Sequence, residues 1–204
     1  MSRIQESGVR SQKSATTGQV VVISGPSGVG KGTICRELVR RLDNVYLSVS
    51  LTTRPRARTE VDGRDYGFIS REEFERRIDQ GAFLEFAEVF GNYYGTPKDK
   101  IDQALSQGRI VILEIDVQGG RQAKQAFPDA RMIFILPPPG QALEQRLSGR
   151  GRDDAATMQR RLEKAEQETD AARSCYESFV VNDDLDKAIG QIIEIITGAS
   201  GGRR

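Results

Sequence analysis

A glycine-rich loop directly after a short apolar run is the feature that most restricts how this chain can fold. Residues 20–23 are β-branched, and residues 25–33 follow with the pattern G-x-x-x-x-G-K. The glycines let backbone N–H groups approach phosphate oxygens without a Cβ in the way, and Lys31 adds a positive charge. Apolar residues then recur at helical spacing, at Ile34, Leu38 and Leu42. The sequence therefore predicts a strand, a phosphate-binding loop (the P-loop) and a helix, whose positive N-terminal end faces the phosphates.

Short β-branched runs recur along the rest of the chain, and most are separated by helical patterns. They lie at residues 20–23, 45–49, 110–115, 132–136 and 179–181. This alternation predicts an α/β fold with a parallel sheet flanked by helices. The last helix is expected to bury one apolar stripe, which consists of Leu185, Ile189, Ile192, Ile193 and Ile196.

Residues 52–97 interrupt this alternation. They contain strand-like pieces at 66–69 and 83–90, one charged helix at 71–80 that Gly81 ends, and many polar residues. We therefore expect a small subdomain inserted over the carboxyl edge of the sheet, within one domain of residues 19–197 whose core is 19–51 and 98–197. Residues 1–18 and 198–204 are predicted to be tails, the first of them disordered.

Charge and cysteine content narrow the classes of partner. The chain has 30 basic and 29 acidic side chains, so it lacks the overall positive field of nucleic-acid-binding proteins, and we expect no nucleic-acid partner. Cys35 and Cys175 are too few for a disulfide framework and predict reduced thiols in a cytoplasmic protein. No apolar run approaches the length of a membrane span, so no membrane association is expected.

A second basic segment lies after the predicted second strand. Arg54, Arg56 and Arg58 stand within five residues, beside threonine hydroxyls and Pro55. An arginine guanidinium matches the geometry of a phosphate bidentately, so this segment is a candidate for a second phosphate site. The alternative is a solvated basic loop.

Several separated motifs occur in a fixed order, and they carry a resemblance to a known family. They are GPSGVGKGT, SVSLTTRP, EVDGRDYGF, FLEFAEVFGNYYGTP, LEIDVQGG, RLSGRGR and VNDDLD. By these motifs, which span nearly the whole chain between the tails, it resembles the guanylate kinase family. The resemblance implies a P-loop nucleoside monophosphate kinase fold, a GMP-binding insert at residues 52–97 and a short lid at about residues 146–161.

The resemblance also implies which residues bind GMP. They are Ser50, Arg54, Arg58, Tyr66, Glu85, Tyr94, Thr96 and Asp116. The second phosphate-binding arginine of the family falls at Ala57, so either flanking arginine could replace it; Arg58 is preferred and Arg56 stays open. Glu85 could accept hydrogen bonds from the N1–H and N2–H groups of guanine, which adenine does not offer as a pair. Without the family, Glu85 would be assigned to the exposed face of an edge strand.

ATP is assigned to the P-loop and to one residue near the end of the chain. The implied residues are Gly25, Pro26, Ser27, Gly28, Val29, Gly30, Lys31, Gly32, Thr33 and Asn182, the last beside the adenine ring. Gly32 stands where P-loops usually carry a hydroxyl that ligates Mg²⁺. We therefore expect Mg²⁺ to be held by nucleotide oxygens and waters, with Glu114 orienting one water. The alternatives are a strand-end carboxylate without a ligand for Glu114 and a strand-ending residue for Asn182.

The implied reaction is transfer of the γ-phosphoryl group of ATP to GMP, in purine nucleotide metabolism. The residues expected to carry it are Lys31, Arg54, Arg146, Arg150 and Arg161, the last three in or beside the lid. For Arg146 and Arg150 the alternative is an ordinary charged helix face. GMP is largely a dianion at neutral pH and needs no general base, so the absence of histidine does not argue against catalysis.

Three other functions are compatible with parts of the pattern. A non-catalytic interaction module would be expected to have an eroded P-loop, and a kinase for a phosphorylated sugar would change the residues assigned to GMP. A GTPase would need an N-K-x-D segment, which the sequence lacks. Deoxy-GMP remains an alternative acceptor, and self-association into a homo-oligomer remains open.

Overall fold

A computed structural model describes residues 18–89, 91–138 and 155–198, the last range with side chains from residue 163 onward. In chain order the elements are β1 (Gln19–Ser24), α1 (Lys31–Arg41), β2 (Val45–Leu47), β3 (Leu51–Thr52), β4 (Gly67–Phe68), α2 (Arg71–Asp79), β5 (Phe83–Val89), β6 (Asn92–Pro97), α3 (Lys98–Ser106), β7 (Ile110–Glu114), α4 (Val117–Ala126), β8 (Arg131–Leu136), α5 (Ala155–Ala172), β9 (Ser178–Val181) and α6 (Leu185–Thr197). The predicted tails, residues 1–18 and 198–204, lie outside the described ranges except for Gly18 and Gly198.

The main sheet has five parallel strands in the order β2-β7-β1-β8-β9. The predicted α/β fold with a parallel sheet is therefore confirmed. Strand β1 lies in the centre, paired with β7 on one side and β8 on the other. The P-loop consequently leaves the middle of the carboxyl edge, where parallel α/β sheets bind their ligands. The second strand ends at Leu47, two residues earlier than the sequence predicts.

The core has two layers because successive side chains of a strand point to opposite faces of the sheet. Val21 and Ile23 of β1 pack on the face covered by α1 and α6. Val20 and Val22 pack on the other face, with residues of α3 and α4. These β1 side chains are 0–6% exposed, which explains why a strand buried on both faces reads as a continuous apolar run.

The last helix follows the predicted stripe with one exception. Ile189, Ile192 and Ile196 are buried, whereas Leu185 at the first position is 37% exposed and Ala188 is buried in the core. The helix begins at the N-cap Asp184, whose side chain accepts a hydrogen bond from the Lys187 backbone N–H at 2.9 Å. None of the helices in the described ranges is long and apolar enough to cross a lipid bilayer.

Residues 51–97 form a second sheet in the order β4-β3-β6-β5. Strand β3 pairs parallel with β4 and antiparallel with β6, and β5 and β6 form a hairpin. The sequence predicted β4, β5 and α2 but not β3 or β6, because β3 is two residues long and β6 reads as polar, with the residues NYYGTP. Helix α2 begins at Ser70, whose hydroxyl accepts from the Glu73 N–H at 3.2 Å, and Gly81 follows it with φ 63°.

Candidate active site

The P-loop turns sharply between β1 and α1, and two of its glycines are required by their surroundings. Gly25 has φ 155°, and a Cβ there would come within 2.5 Å of the Ile135 carbonyl oxygen. Gly30 is left-handed, with φ 103°, and a Cβ there would come within 2.7 Å of Asn182 Nδ2. The loop therefore passes close to β8 and to the end of β9. Because these two positions are glycines, no Cβ blocks the approach of a phosphate to the backbone N–H groups that lead into α1.

Lys31 lies at the start of α1 and folds back over the loop. Its Nζ donates to the carbonyl oxygens of Gly25, at 2.5 Å, and Pro26, at 3.1 Å. Burial lowers the pKa of the Lys31 ammonium, and the nearby carboxylates Glu114 and Glu168 oppose that shift. The Lys31 ammonium therefore lies over the loop, and a bound phosphate can replace the two carbonyl oxygens as its hydrogen-bond partner.

Asn182 lies behind the P-loop. Its side chain is 6% exposed, and Nδ2 donates to the Val29 carbonyl oxygen at 2.8 Å. The backbone N–H of Asn182 donates to Leu136 at 3.0 Å, which fixes the residue at the end of β9. The hydrogen bond from Asn182 Nδ2 to Val29 joins the P-loop to the end of β9, a contact that the sequence did not predict.

Two adjoining cavities open at the carboxyl edge of the main sheet. One, of about 490 Å³, includes Gly25, Ser27, Lys31 and Gly32 in its lining. The other, of about 320 Å³, is lined on the insert side by Glu85, Ala87, Tyr94 and other residues. Five lining residues belong to both cavities: Ser50, Tyr66, Glu114, Ile115 and Asp116. The structure therefore brings the P-loop and most of the predicted GMP residues to one continuous cleft.

Glu85 is buried although β5 is an edge strand of the second sheet. It is 9% exposed, and its Oε1 accepts from the Thr96 hydroxyl at 2.5 Å. Burial raises the pKa of Glu85, and the negative charge of Asp116 adds to the shift while Thr96 opposes it. Helix α4 covers this face of β5, and the missing side chain of Gly119 leaves room for the carboxylate, whose Oε2 would lie 3.1 Å from a Cβ there. The alternative of an exposed strand face is therefore wrong.

Three further residues of the predicted GMP site, Asp116, Tyr66 and Tyr94, line the same cavity as Glu85. Asp116 is the N-cap of α4 and accepts from the Gly119 N–H at 2.8 Å. The rings of Tyr66 and Tyr94 meet edge to face, with centroids 5.9 Å apart. Both tyrosines face the cavity that contains Glu85. A molecule that enters this cavity therefore meets the Glu85 carboxylate and two phenols.

Arg54 lies beside the two tyrosines and is paired with Glu60. Its Nη2 lies 2.7 Å from Glu60 Oε1, its Nη1 lies 3.1 Å from Oε2, and its Cζ is 5.5 Å from the Tyr66 ring centroid. Glu60 also accepts from the Ala57 N–H at 2.8 Å. Arg56 and Arg58 are exposed, and neither lines the two cavities formed by the described residues.

Comparisons with known proteins agree with this geometry. A family model described as guanylate kinase matches residues 17–199. The guanylate kinase of Synechocystis sp. is 47% identical over 184 residues, which cover 90% of this chain and 96% of that protein. That of Thermosynechococcus vestitus is 52% identical over 172 residues, which cover 84% and 90%. The chain belongs to the guanylate kinase family.

A solved structure supports the same assignment. The crystal structure of guanylate kinase from Anaplasma phagocytophilum matches with a TM-score of 0.72 at 30% identity, over 92% of this chain and 88% of that one. The chain is accordingly an enzyme of the nucleoside monophosphate kinase class, with the P-loop kinase fold that the sequence predicted.

Glu114, which the sequence predicts to orient a magnesium-bound water, lies beside the P-loop. It ends β7, and its two carboxylate oxygens lie 3.6 and 3.7 Å from where a Cβ of Gly32 would stand. Burial raises the pKa of Glu114, against the pull of Lys31 and Arg36. Among the described residues, no group of three or more His, Cys, Asp or Glu side chains could hold a metal ion by itself. The residues present therefore fit a cation held mostly by nucleotide oxygens and waters, with one carboxylate nearby.

The three lid arginines cannot be placed on the site. Arg146 and Arg150 lie outside the described residues, and Arg161 belongs to α5 with its side chain outside them. The part of the predicted lid that is described, residues 155–161, is helical.

Six charged residues of the cleft were not predicted from the sequence, and two of them, Glu60 and Asp65, pair with Arg54 and Arg64. Arg36 on α1 and Arg64 before β4 line the P-loop cavity. Lys164 and Glu168 on α5 line the cleft from above, and their charged groups are 3.8 Å apart. The four-residue spacing of the α5 pair puts both on one helix face, but periodicity alone did not show that this face borders the nucleotides.

Proposed function

We propose that this cleft binds ATP at the P-loop and GMP in the cavity of Glu85, and that it transfers the γ-phosphoryl group between them. One observation carries the proposal: Lys31 and Glu85 line adjoining cavities that share Ser50, Tyr66, Glu114 and Asp116. Phosphoryl transfer needs the donor and acceptor in line and in contact, and two nucleotides in these cavities would meet at the shared residues.

The acceptor phosphate would lie near Arg54, Tyr66 and Tyr94, with guanine against Glu85, Thr96 and Asp116. The carboxylate of Glu85 already accepts from Thr96 through one oxygen, which leaves lone pairs for the two adjacent donors of guanine. Adenine presents an acceptor at N1 in place of the N1–H donor, so it would set a lone pair against the buried carboxylate and lose at least one of the two hydrogen bonds. GMP is therefore favoured over AMP, and deoxy-GMP is a second acceptor to be measured.

The chain's own residues supply alignment and charge compensation. The P-loop N–H groups and Lys31 would hold the ATP phosphates, and Arg54 would exchange Glu60 for the GMP phosphate. Arg146, Arg150 and Arg161 would add positive charge from the lid, and Asn182 would keep the loop in place near the adenine. Mg²⁺, bound between nucleotide oxygens and waters near Glu114, would neutralise the repelling phosphate groups.

The reaction needs no protein base, since the acceptor oxygen is already an anion at neutral pH. Exclusion of water by the closing lid would prevent transfer to water in place of GMP. We place the reaction in the cytoplasm, because ATP and GMP are metabolites of the cell interior and both cysteines of the chain are free thiols.

A coupled assay of ADP release with GMP, dGMP, AMP, CMP and UMP tests the proposal. We expect turnover with GMP in the presence of Mg²⁺ and little with the other ribonucleotides. Lys31→Met, which keeps the length of the side chain but removes its charge, is expected to lower kcat by about a hundredfold or more. No ADP release with GMP from the folded wild-type enzyme would overturn the proposed function.

A further inference from the structure

The cleft presents more negative than positive side chains to the nucleotides. The carboxylates that line the P-loop cavity are Glu60, Asp65, Glu114, Asp116 and Glu168, and its cations are Lys31, Arg36 and Arg64. A dianionic acceptor phosphate requires cations on its own side of the cleft. Lys164 of α5 lines the acceptor cavity, with its ammonium 3.8 Å from a carboxylate oxygen of Glu168. Among the three cations of the P-loop cavity, position decides which one can add a guanidinium on the acceptor side.

Two of the three cations lie on the P-loop side. Lys31 Nζ is bound to the carbonyl oxygens of Gly25 and Pro26. The Nη1 of Arg36 would lie 3.5 Å from a Cβ of Gly32, beside the carboxylate of Glu114. Lys31 is engaged by the P-loop. Arg36 starts from α1 on the P-loop side, although, after the hydrogen bond from Arg64, its charge also helps to lower the pKa of the Asp65 carboxyl on the insert.

Arg64 belongs to the insert side, in a tight turn just before Tyr66. The Arg64 N–H donates to the Val61 carbonyl oxygen at 3.2 Å, and the N–H of Gly63, at φ 75°, donates to the Tyr66 carbonyl oxygen at 2.8 Å. The turn fixes the backbone of Arg64 two residues from Tyr66, which borders both cavities. The side chain of Arg64 therefore starts on the insert side of the P-loop cavity, close to the residue that this cavity shares with the acceptor cavity.

The guanidinium of Arg64 is available for a new partner. Its side chain is 62% exposed, and its Nε and Nη2 lie 3.2 and 2.8 Å from Asp65 Oδ2. An exposed ion pair between neighbouring residues is weak, so a phosphate dianion can replace the carboxylate. Arg56 and Arg58 are also exposed, and they do not line the cavities of the described residues. Arg54 does not line them either, but its Cζ lies 5.5 Å from the ring centroid of Tyr66, which borders both cavities.

We propose that Arg64 is the second guanidinium that binds the phosphate of GMP, together with Arg54, and that it supplies the charge absent at Ala57. This inference rests on the proposed function, because it assigns a residue to the acceptor site. It replaces the preference for Arg58 that the sequence alone suggested.

The test compares the binding of GMP with that of guanosine, which lacks the phosphate, in wild type and Arg64→Ala. We expect Arg64→Ala to raise the KM and the Kd for GMP by about tenfold or more, with the Kd for guanosine and the KM for ATP unchanged. Arg64→Lys, which keeps the charge but loses the planar fork, should recover part of the affinity. Arg173→Ala removes one charge from an exposed ion pair with Asp170 and serves as the control.

Three results would overturn the inference. The first is a GMP affinity of Arg64→Ala within about twofold of wild type. The second is an equal loss of GMP and guanosine binding, which would show that the residue shapes the loop and does not bind phosphate. The third is a phosphate-specific loss in Arg58→Ala or Arg56→Ala but not in Arg64→Ala. If the wild-type enzyme binds GMP but transfers no phosphate, the proposed reaction is refuted. The comparison of GMP and guanosine binding would still decide the role of Arg64.

Discussion

Replacing Glu85 by glutamine changes one charge in the acceptor cavity with almost no change in shape. The carboxylate is 9% exposed and already accepts from Thr96 at 2.5 Å. Glutamine can keep a hydrogen bond to the Thr96 hydroxyl, but it offers only one oxygen to the two adjacent donors of guanine. Its NH₂ group would also face a guanine donor.

The cost follows from the two hydrogen bonds at risk. A hydrogen bond to a charged group contributes about 1.5–3 kcal/mol, so the pair contributes about 3–6 kcal/mol. At about 1.4 kcal/mol for each factor of ten, kcat/KM for GMP should fall by roughly two to four orders of magnitude. The activity with AMP, which does not use the carboxylate, should change far less.

The same substitution should stabilise the enzyme without nucleotides. Burial raises the pKa of Glu85 above its ordinary value of 4.5, so the folded state holds the proton more tightly than the unfolded state does. Glu85 therefore costs no stability below pH 4.5, and its cost grows as the pH rises through the raised pKa. We expect Glu85→Gln to have a higher Tm than wild type at neutral pH, and the difference to close towards pH 4.5.

Steady-state kinetics with GMP and AMP, together with thermal unfolding between acidic and neutral pH, measure both effects. Glu88→Gln is the matched control, because Glu88 lies on the same strand and is exposed. The explanation is refuted if Glu85→Gln keeps its kcat/KM for GMP within about tenfold of wild type. If Glu85→Gln has a lower Tm than wild type at neutral pH, burial of the Glu85 charge does not destabilise the folded enzyme, whatever the kinetic result.

Three further predictions concern the P-loop, the core and the metal. Asn182→Ala leaves the Val29 carbonyl without its buried donor, and should lower the free energy of unfolding by about 1–3 kcal/mol and raise the KM for ATP, as urea unfolding and kinetics will show. Gly120→Ala places a Cβ against the Tyr176 hydroxyl and should lower the free energy of unfolding by about 1–3 kcal/mol, whereas Gly190→Ala, with open space around it, should raise it by about 0.5–1 kcal/mol; equal Tm values would contradict this packing. EDTA should abolish ADP release and added Mg²⁺ should restore it; activity that persists in EDTA would disprove the metal requirement.

The sequence was most informative where structure depends on neighbouring residues. The order of strand, P-loop and helix was predictable because the glycines, Lys31 and the apolar spacing of α1 lie within one short stretch. The five parallel strands were predictable because strands buried on both faces must be continuously apolar. The short strand β3 and the polar strand β6 carry no such pattern, so the second sheet was missed.

The family resemblance predicted most residues of the acceptor site, but only the tertiary structure showed their surroundings. Glu85 lies on an edge strand, and its sequence suggests an exposed face. Helix α4, more than thirty residues later in the chain, covers that face and leaves space for the carboxylate at Gly119. Whether a strand residue is exposed depends on what packs against it, and alternation along one strand does not contain that information.

The sequence by itself predicted a phosphate-binding loop on a parallel α/β sheet, because a glycine-rich loop ending in lysine after a buried strand is typical of such a site. Only the tertiary structure decided which charges meet there. It pairs Arg54 with Glu60, holds the loop through Asn182, and places Arg64 at the cleft while Arg56 and Arg58 remain outside its lining. The physical reason is that electrostatic interactions depend on distance and burial, and the chain brings these residues together only when it folds.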